Sequence, residues 1–154
     1  MDTTVTVAGA NLRPLRGFLG FSALVWGVSW VGAFLPWPTA VVALQGLGAR
    51  EIPADPMLDY WLRMASGAFG LVGMLYALVA WKPVRYAVII PVLGWLMLLE
   101  GAMLLVHGAR LGLPPFPFVA DVSACLLGGM RILRTAGRAL PAWANPQVEL
   151  DLRS

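Results

Sequence analysis

The chain has 154 residues, 59% of them hydrophobic and 12% charged, with a mean hydropathy of +0.76; soluble domains carry about 25% charged residues, so an ordinary soluble fold is excluded and the chain belongs to the membrane class. The charge of +3 and pI near 9.6 do not point to nucleic acid, because the arginines gather at the ends of apolar runs and form no continuous stripe. A single cysteine, Cys125, excludes an internal disulfide and any Cys-x-x-Cys redox or zinc motif.

Residues 1–12 are small and polar and read as an N-terminal tail. Arg13 and Arg16 then precede an apolar run from Gly17 to Leu35, close to the ~20 residues that cross a bilayer. It exceeds the apolar core of a signal peptide and lacks a small-x-small cleavage site, so an uncleaved first span is expected. Pro36-Trp-Pro38 stops it, since proline cannot extend the hydrogen-bond ladder. Thr39 to Leu47 is apolar but too short to span, and is expected in the interface or dipping back into the bundle.

Arg50 to Pro56 is the hydrated loop, and Asp55-Pro56 followed by Asp59 is a helix start. The second span is expected from Leu62 to Trp81, with Arg63 at its entrance, and Lys82 to Arg85 form a tight turn. A third span follows from Tyr86 to Val106, with Pro91 kinking its first half. Leu113-Pro-Pro-Phe-Pro-Phe118 interrupts the chain before a fourth, shorter span from Phe118 to Leu133. Residues 136–154 form a C-terminal tail.

Four spans joined mainly by short turns predict an all-α architecture, an integral-membrane antiparallel four-helix bundle over residues 13–135. Arg13, Arg16, Lys82, Arg85, Arg131, Arg134 and Arg138 fall on one side, and Arg50, Arg63 and Arg110 on the other; by the positive-inside rule both termini face the cytoplasm. Trp37 and Trp61, with Trp81 and Trp143 opposite, fit interfacial belts. Ala87, Gly94, Gly101 and Gly108 recur every seven residues, Gly67, Gly70 and Gly73 mark the second span, and Ala124 and Gly128 the fourth. Such faces let helix backbones approach closely in lipid.

Ionisable residues inside apolar runs are costly and mark functional or packing sites. Glu100 and His107 lie seven residues apart on one face of the third span, roughly 10 Å along its axis. The return turn sets Asp121 near the depth of His107, and Arg63 enters from the same side, so a polar cluster of Arg63, Glu100, His107 and Asp121 is expected in the non-cytoplasmic half. On a structural reading Arg63 neutralises Glu100 or Asp121 and ties helices together. On a functional one Glu100 and His107 are a catalytic acid–base pair, with Arg63 and Asp121 binding ligand. Trp26, Trp30 and Trp95 sit mid-membrane. They suggest either a packed aromatic core or a pocket for a flat apolar molecule. One histidine and two separated acids do not make a metal site, and no cofactor is expected.

The motifs Arg63-Met-x-x-Gly67-x-x-Gly70-x-x-Gly73, Leu99-Glu100-Gly101 and Leu113-Pro-Pro-Phe-Pro-Phe118 with Asp121 resemble the BphX-like family of small bacterial membrane proteins, and more distantly the DoxX-like group. The likeness covers residues 13–135. It implies a four-span bundle in a bacterial inner membrane and a link to hydrophobic aromatic compounds; it supplies no catalytic residues.

Three functions are therefore in play. The first is a membrane protein that binds a small hydrophobic molecule or acts as an accessory subunit. The second is a membrane-embedded enzyme, such as an isomerase using Glu100 and His107. The third is a structural subunit of a homo-oligomer or larger membrane complex.

Overall fold

The computed structural model describes residues 12–139, and the tail expectations for residues 1–11 and 140–154, Trp143 included, lie outside them. The chain is all-helical there: α1 (Arg13–Gly27), α2 (Trp30–Phe34), α3 (Trp37–Gly46), α4 (Pro56–Trp81), α5 (Ile89–Leu111) and α6 (Pro115–Ala139). Four segments, Arg13–Phe34, Pro56–Trp81, Ile89–Leu111 and Pro115–Gly137, are long and apolar enough to cross a bilayer. The chain is a multi-pass membrane protein.

The span boundaries follow local chemistry. In α4 the helix begins earlier than the apolar run, at the Asp55-Pro56 signal: Asp55 is the N-cap, its carboxylate accepts from the Met57 N–H at 2.8 Å, and Asp59 stands in the first turn. The first span starts at Arg13 and is tightened at Val28-Ser29, where Ser29, Val31 and Gly32 donate to carbonyls three residues back instead of four. Pro91 does not kink α5. That helix begins at Ile89, not Tyr86, so the proline falls in the first turn, where its missing N–H had no helical partner to lose. Nor is the last span short: helix continues through Ala139, and its irregularity is confined to Phe116, whose extended backbone (φ −106°, ψ 133°) is what a following proline imposes.

The spans form a ring in the order α1, α4, α5, α6, each antiparallel to its neighbours, but the four junctions are not alike. Two are close and built on glycine. Gly94, Gly101 and Gly108, seven apart, present one groove of α5, and α6 fills it with Leu133 and Ile132, with Leu126 and Cys125, and with Phe118. Gly73 meets the backbone of Gly27, Gly70 receives the Trp30 ring and Gly32 faces the Ser66 side chain, which closes α1 and α2 onto α4. Small residues permit this approach where hydrocarbon surrounds the helices and dispersion does the work. Gly67, by contrast, has nothing within reach of a side chain.

The other two junctions, α4 with α5 and α1 with α6, carry Phe18, Trp26, Phe69, Tyr76 and Met97, and these bulky side chains hold the helix pairs apart. The bundle is thus two tight pairs joined along a wider seam. The main core cluster runs from Leu15, Leu19, Val79, Ile90, Ile132 and Ala136 in the half nearer the chain ends to Met97 and Cys125 midway along the bundle. There Arg16 donates to the carbonyls of Ala80 (3.1 Å) and Trp81 (2.9 Å), satisfying the last turn of α4. The far half is looser, and α3, with ten residues, caps it without spanning.

Candidate functional site

Arg63, Glu100, His107 and Asp121 lie midway along the bundle or beyond, and the structure separates this expected cluster into three places. Arg63 is spoken for locally. Its Nε lies 2.9 Å from Oδ1 of Asp59, four residues earlier on α4, and its Nη1 donates to the Ala33 carbonyl at 3.0 Å. The Asp59 contact is a charge pairing without the alignment of a hydrogen bond, so Oδ1, otherwise enclosed, relies on it alone. Among the described residues Arg63 forms no ion pair with Glu100 or Asp121. The expected neutralisation across helices is corrected to a partner one turn away on the same helix.

His107 and Asp121 stand together at one cavity, apart from Arg63 and Glu100. Both line a cavity of ≈ 520 Å³ at the far end of the bundle, walled by Leu104 and Leu111 of α5 and Phe118 of α6 and covered by Leu44 and Leu47. Gly112 in the left-handed conformation (φ 61°) ends α5 there, and the Pro114 to Pro117 segment returns the chain so that α6 runs back beside it. Both side chains are exposed, and no group of three or more potential metal ligands occurs among the described residues.

Glu100 is elsewhere. It lines the α4–α5 seam, a crevice of ≈ 250 Å³ whose other walls are apolar except for Tyr76: Phe69, Val72 and Leu75 stand on α4, Leu96 and Met103 on α5, and Trp26 on α1. The Trp26 ring lies tilted against Phe69 at 5.3 Å between centroids. Below the carboxylate, toward the chain ends, the Tyr76 hydroxyl donates to the Met97 sulfur at 3.5 Å, a buried bridge between the helices. Glu100 is half-buried and, among the described residues, forms no ion pair or hydrogen bond. Glu100 and His107 share a helix face and line different cavities.

The three tryptophans divide as well. Trp26 lines the Glu100 crevice and also the groove on the opposite side of the bundle. Trp30 is a packing group, seated in the notch at Gly70 and stacked on Phe34 at 6.0 Å. Trp95 is 65% exposed on the outer surface of α5 and does not contribute to the crevice. Tyr76, Met97 and Phe69 were not among the expected site residues. Tyr76 carried a signal, since a phenol deep in a span needs a hydrogen-bond partner.

Comparison with family models, with curated proteins and with solved structures finds no match to this chain. The site therefore rests on its own geometry.

Proposed function

We propose that this protein binds a small hydrophobic molecule carrying one hydrogen-bond donor or cationic group, taken from the bilayer into the α4–α5 crevice with its polar end on Glu100. One observation carries this reading: a carboxylate with no ion pair in the described chain faces an apolar crevice between membrane-spanning helices. In hydrocarbon such a group is costly unless something satisfies it. An apolar body with one convergent polar group is the usual form of a small-molecule pocket. The size is informative, because an apolar cavity of about 150 Å³ takes up benzene, so ≈ 250 Å³ suits a substituted one- or two-ring compound. The resemblance to the BphX-like family points the same way, toward an aromatic ligand. We place the protein in a bacterial inner membrane with both termini cytoplasmic, on the count of basic residues at the two ends of the bundle.

The other readings have less support. An acid–base mechanism pairing Glu100 with His107 is less favoured, because Glu100 lines the α4–α5 crevice and His107 the cavity at the far end of the bundle. A subunit role argued from small-residue faces loses most of its basis, because the glycines of α5 and Gly70 and Gly73 of α4 are already filled from within the chain.

The test is a calorimetric titration of the detergent-solubilised full chain with 2-naphthol, and with naphthalene as the analogue lacking the donor. Binding of 2-naphthol that falls about tenfold in Glu100→Gln, with naphthalene indifferent to the substitution, is expected for one charge-assisted hydrogen bond. Equal affinity of both compounds for both proteins would remove Glu100 from the account.

A further inference from the structure

The second open junction, between α1 and α6, holds a groove of ≈ 240 Å³ lined by Phe21, Val25, Trp26, Ala124 and Leu127, with Arg131 at the end nearer the chain termini. Phe21, Val25, Ala124 and Leu127 are exposed, so the groove lies open toward the bilayer. Arg131 is not held there by an acid. Its guanidinium carbon sits 5.2 Å from the centroid of the Phe18 ring, which itself lines the groove, and a cation over an aromatic face keeps its outward donors available.

Among the described residues the surrounding charge is of one sign. Arg13, Arg16, Lys82, Arg85, Arg131 and Arg134 all belong to this end, whereas the acids of the described residues, Glu51, Asp55, Asp59, Glu100 and Asp121, lie midway along the bundle or beyond. Arg16 is committed to the end of α4. Arg131 forms no ion pair among the described residues. It stands eight residues before the end of α6, about 12 Å along the axis, a depth from which a long side chain reaches the headgroup layer while its stem stays in hydrocarbon.

We propose that the α1–α6 groove is a binding site for an anionic phospholipid, with an acyl chain along Phe21, Val25, Ala124 and Leu127 and the phosphate on Arg131. The complementarity is twofold: an apolar trough of lipid-chain character and, at headgroup depth, a cation whose counter-charge the described chain does not supply. A zwitterionic lipid matches the trough but offers its phosphate already paired with a choline or amine. The site is independent of the Glu100 crevice and lies on the other side of Trp26 and Met97, which line both.

Native mass spectrometry of the full chain, titrated with phosphatidylglycerol or with phosphatidylcholine of the same acyl composition, tests this. Phosphatidylglycerol should be retained preferentially. Arg131→Gln should weaken it about fivefold, the equivalent of ~1 kcal/mol for one basic side chain near an anionic headgroup, and Arg131→Lys should keep most of it. Ala124→Phe fills the trough at an exposed position, changes no charge, and should weaken retention as well. Arg85→Gln, in the α4–α5 turn, should stay within twofold of the parent. Equal retention of the two lipids, equal losses in Arg131→Gln and Arg85→Gln, or an unaffected Ala124→Phe would each overturn the proposal, the second by showing diffuse attraction of a basic surface.

Discussion

The hydroxyl of Tyr76 donates to the sulfur of Met97 across 3.5 Å, the one side-chain hydrogen bond between α4 and α5 among the described residues. It fixes the closed end of a seam that widens toward Glu100. Sulfur is a weak acceptor, so Tyr76→Phe should cost about 1 kcal/mol or less while leaving the helical content unchanged. Chemical unfolding in detergent micelles measures the first and far-ultraviolet circular dichroism the second. A loss of several kcal/mol would mean that the hydroxyl has a larger structural role than this bond.

Two identical substitutions in one helix separate contact glycines from free ones. Gly73→Ala drives a methyl group against the backbone of Gly27 on α1, where the Cβ would stand 2.6 Å from the Gly27 Cα, and should destabilise by roughly 1–3 kcal/mol. Gly67→Ala meets nothing within 4 Å and should be neutral or stabilising by up to about 1 kcal/mol through helix propensity alone. Thermal unfolding of the two variants side by side decides it; the same sign of shift in both contradicts the helix pairing described here.

Arg63 gives a discriminating result because it is half-buried, bound locally and remote from the crevice. A double-mutant cycle with Asp59→Asn should return a coupling of about 0.2–1 kcal/mol, the range for i,i+4 and other solvent-reached pairs, since both side chains are a third exposed (34% and 33%). Arg63→Gln should leave 2-naphthol affinity within twofold. A tenfold loss in that variant would return Arg63 to the binding site.

Arg16 caps α4 from another span, and its loss exposes two carbonyls at the negative end of a helix. Arg16→Gln should destabilise by roughly 1–2 kcal/mol, consistent with charge-assisted hydrogen bonds, and Arg16→Lys should recover part of that. Unfolding midpoints in the same detergent check both, and indistinguishable midpoints for all three proteins would rule the cap out as a stabilising contact.

Much of this fold was legible because lipid imposes simple rules. Four apolar runs, the Asp55-Pro56 start, the proline stop at Pro36 and the seven-residue glycine spacing of α5 each have one physical solution, and each appears in the structure. Pro91 falls in the first turn of α5 rather than inside it because hydropathy does not mark where a helix begins: the apolar run extends back through a turn that is not α-helical. Arg63 pairs with Asp59, four residues before it, and not with the distant acids; the local partner prevails because the helix already holds it in place at little entropic cost. Glu100, His107 and Asp121 lie on adjacent helices as expected, but which of them share a cavity depends on the width of each junction. That width is set by Trp26, Phe69 and Met97, residues whose large volume is evident in the sequence and whose meeting point is not.

Photoaffinity labelling with a diazirine-bearing phenol, followed by peptide mapping, shows whether a ligand enters the α4–α5 crevice beside Glu100. Label is expected on Phe69, Leu96 and Met103 around Glu100, displaced by excess 2-naphthol and reduced in Glu100→Gln. Label confined to the lipid-facing surface at Trp95, or spread evenly over the four spans and indifferent to 2-naphthol, would contradict it.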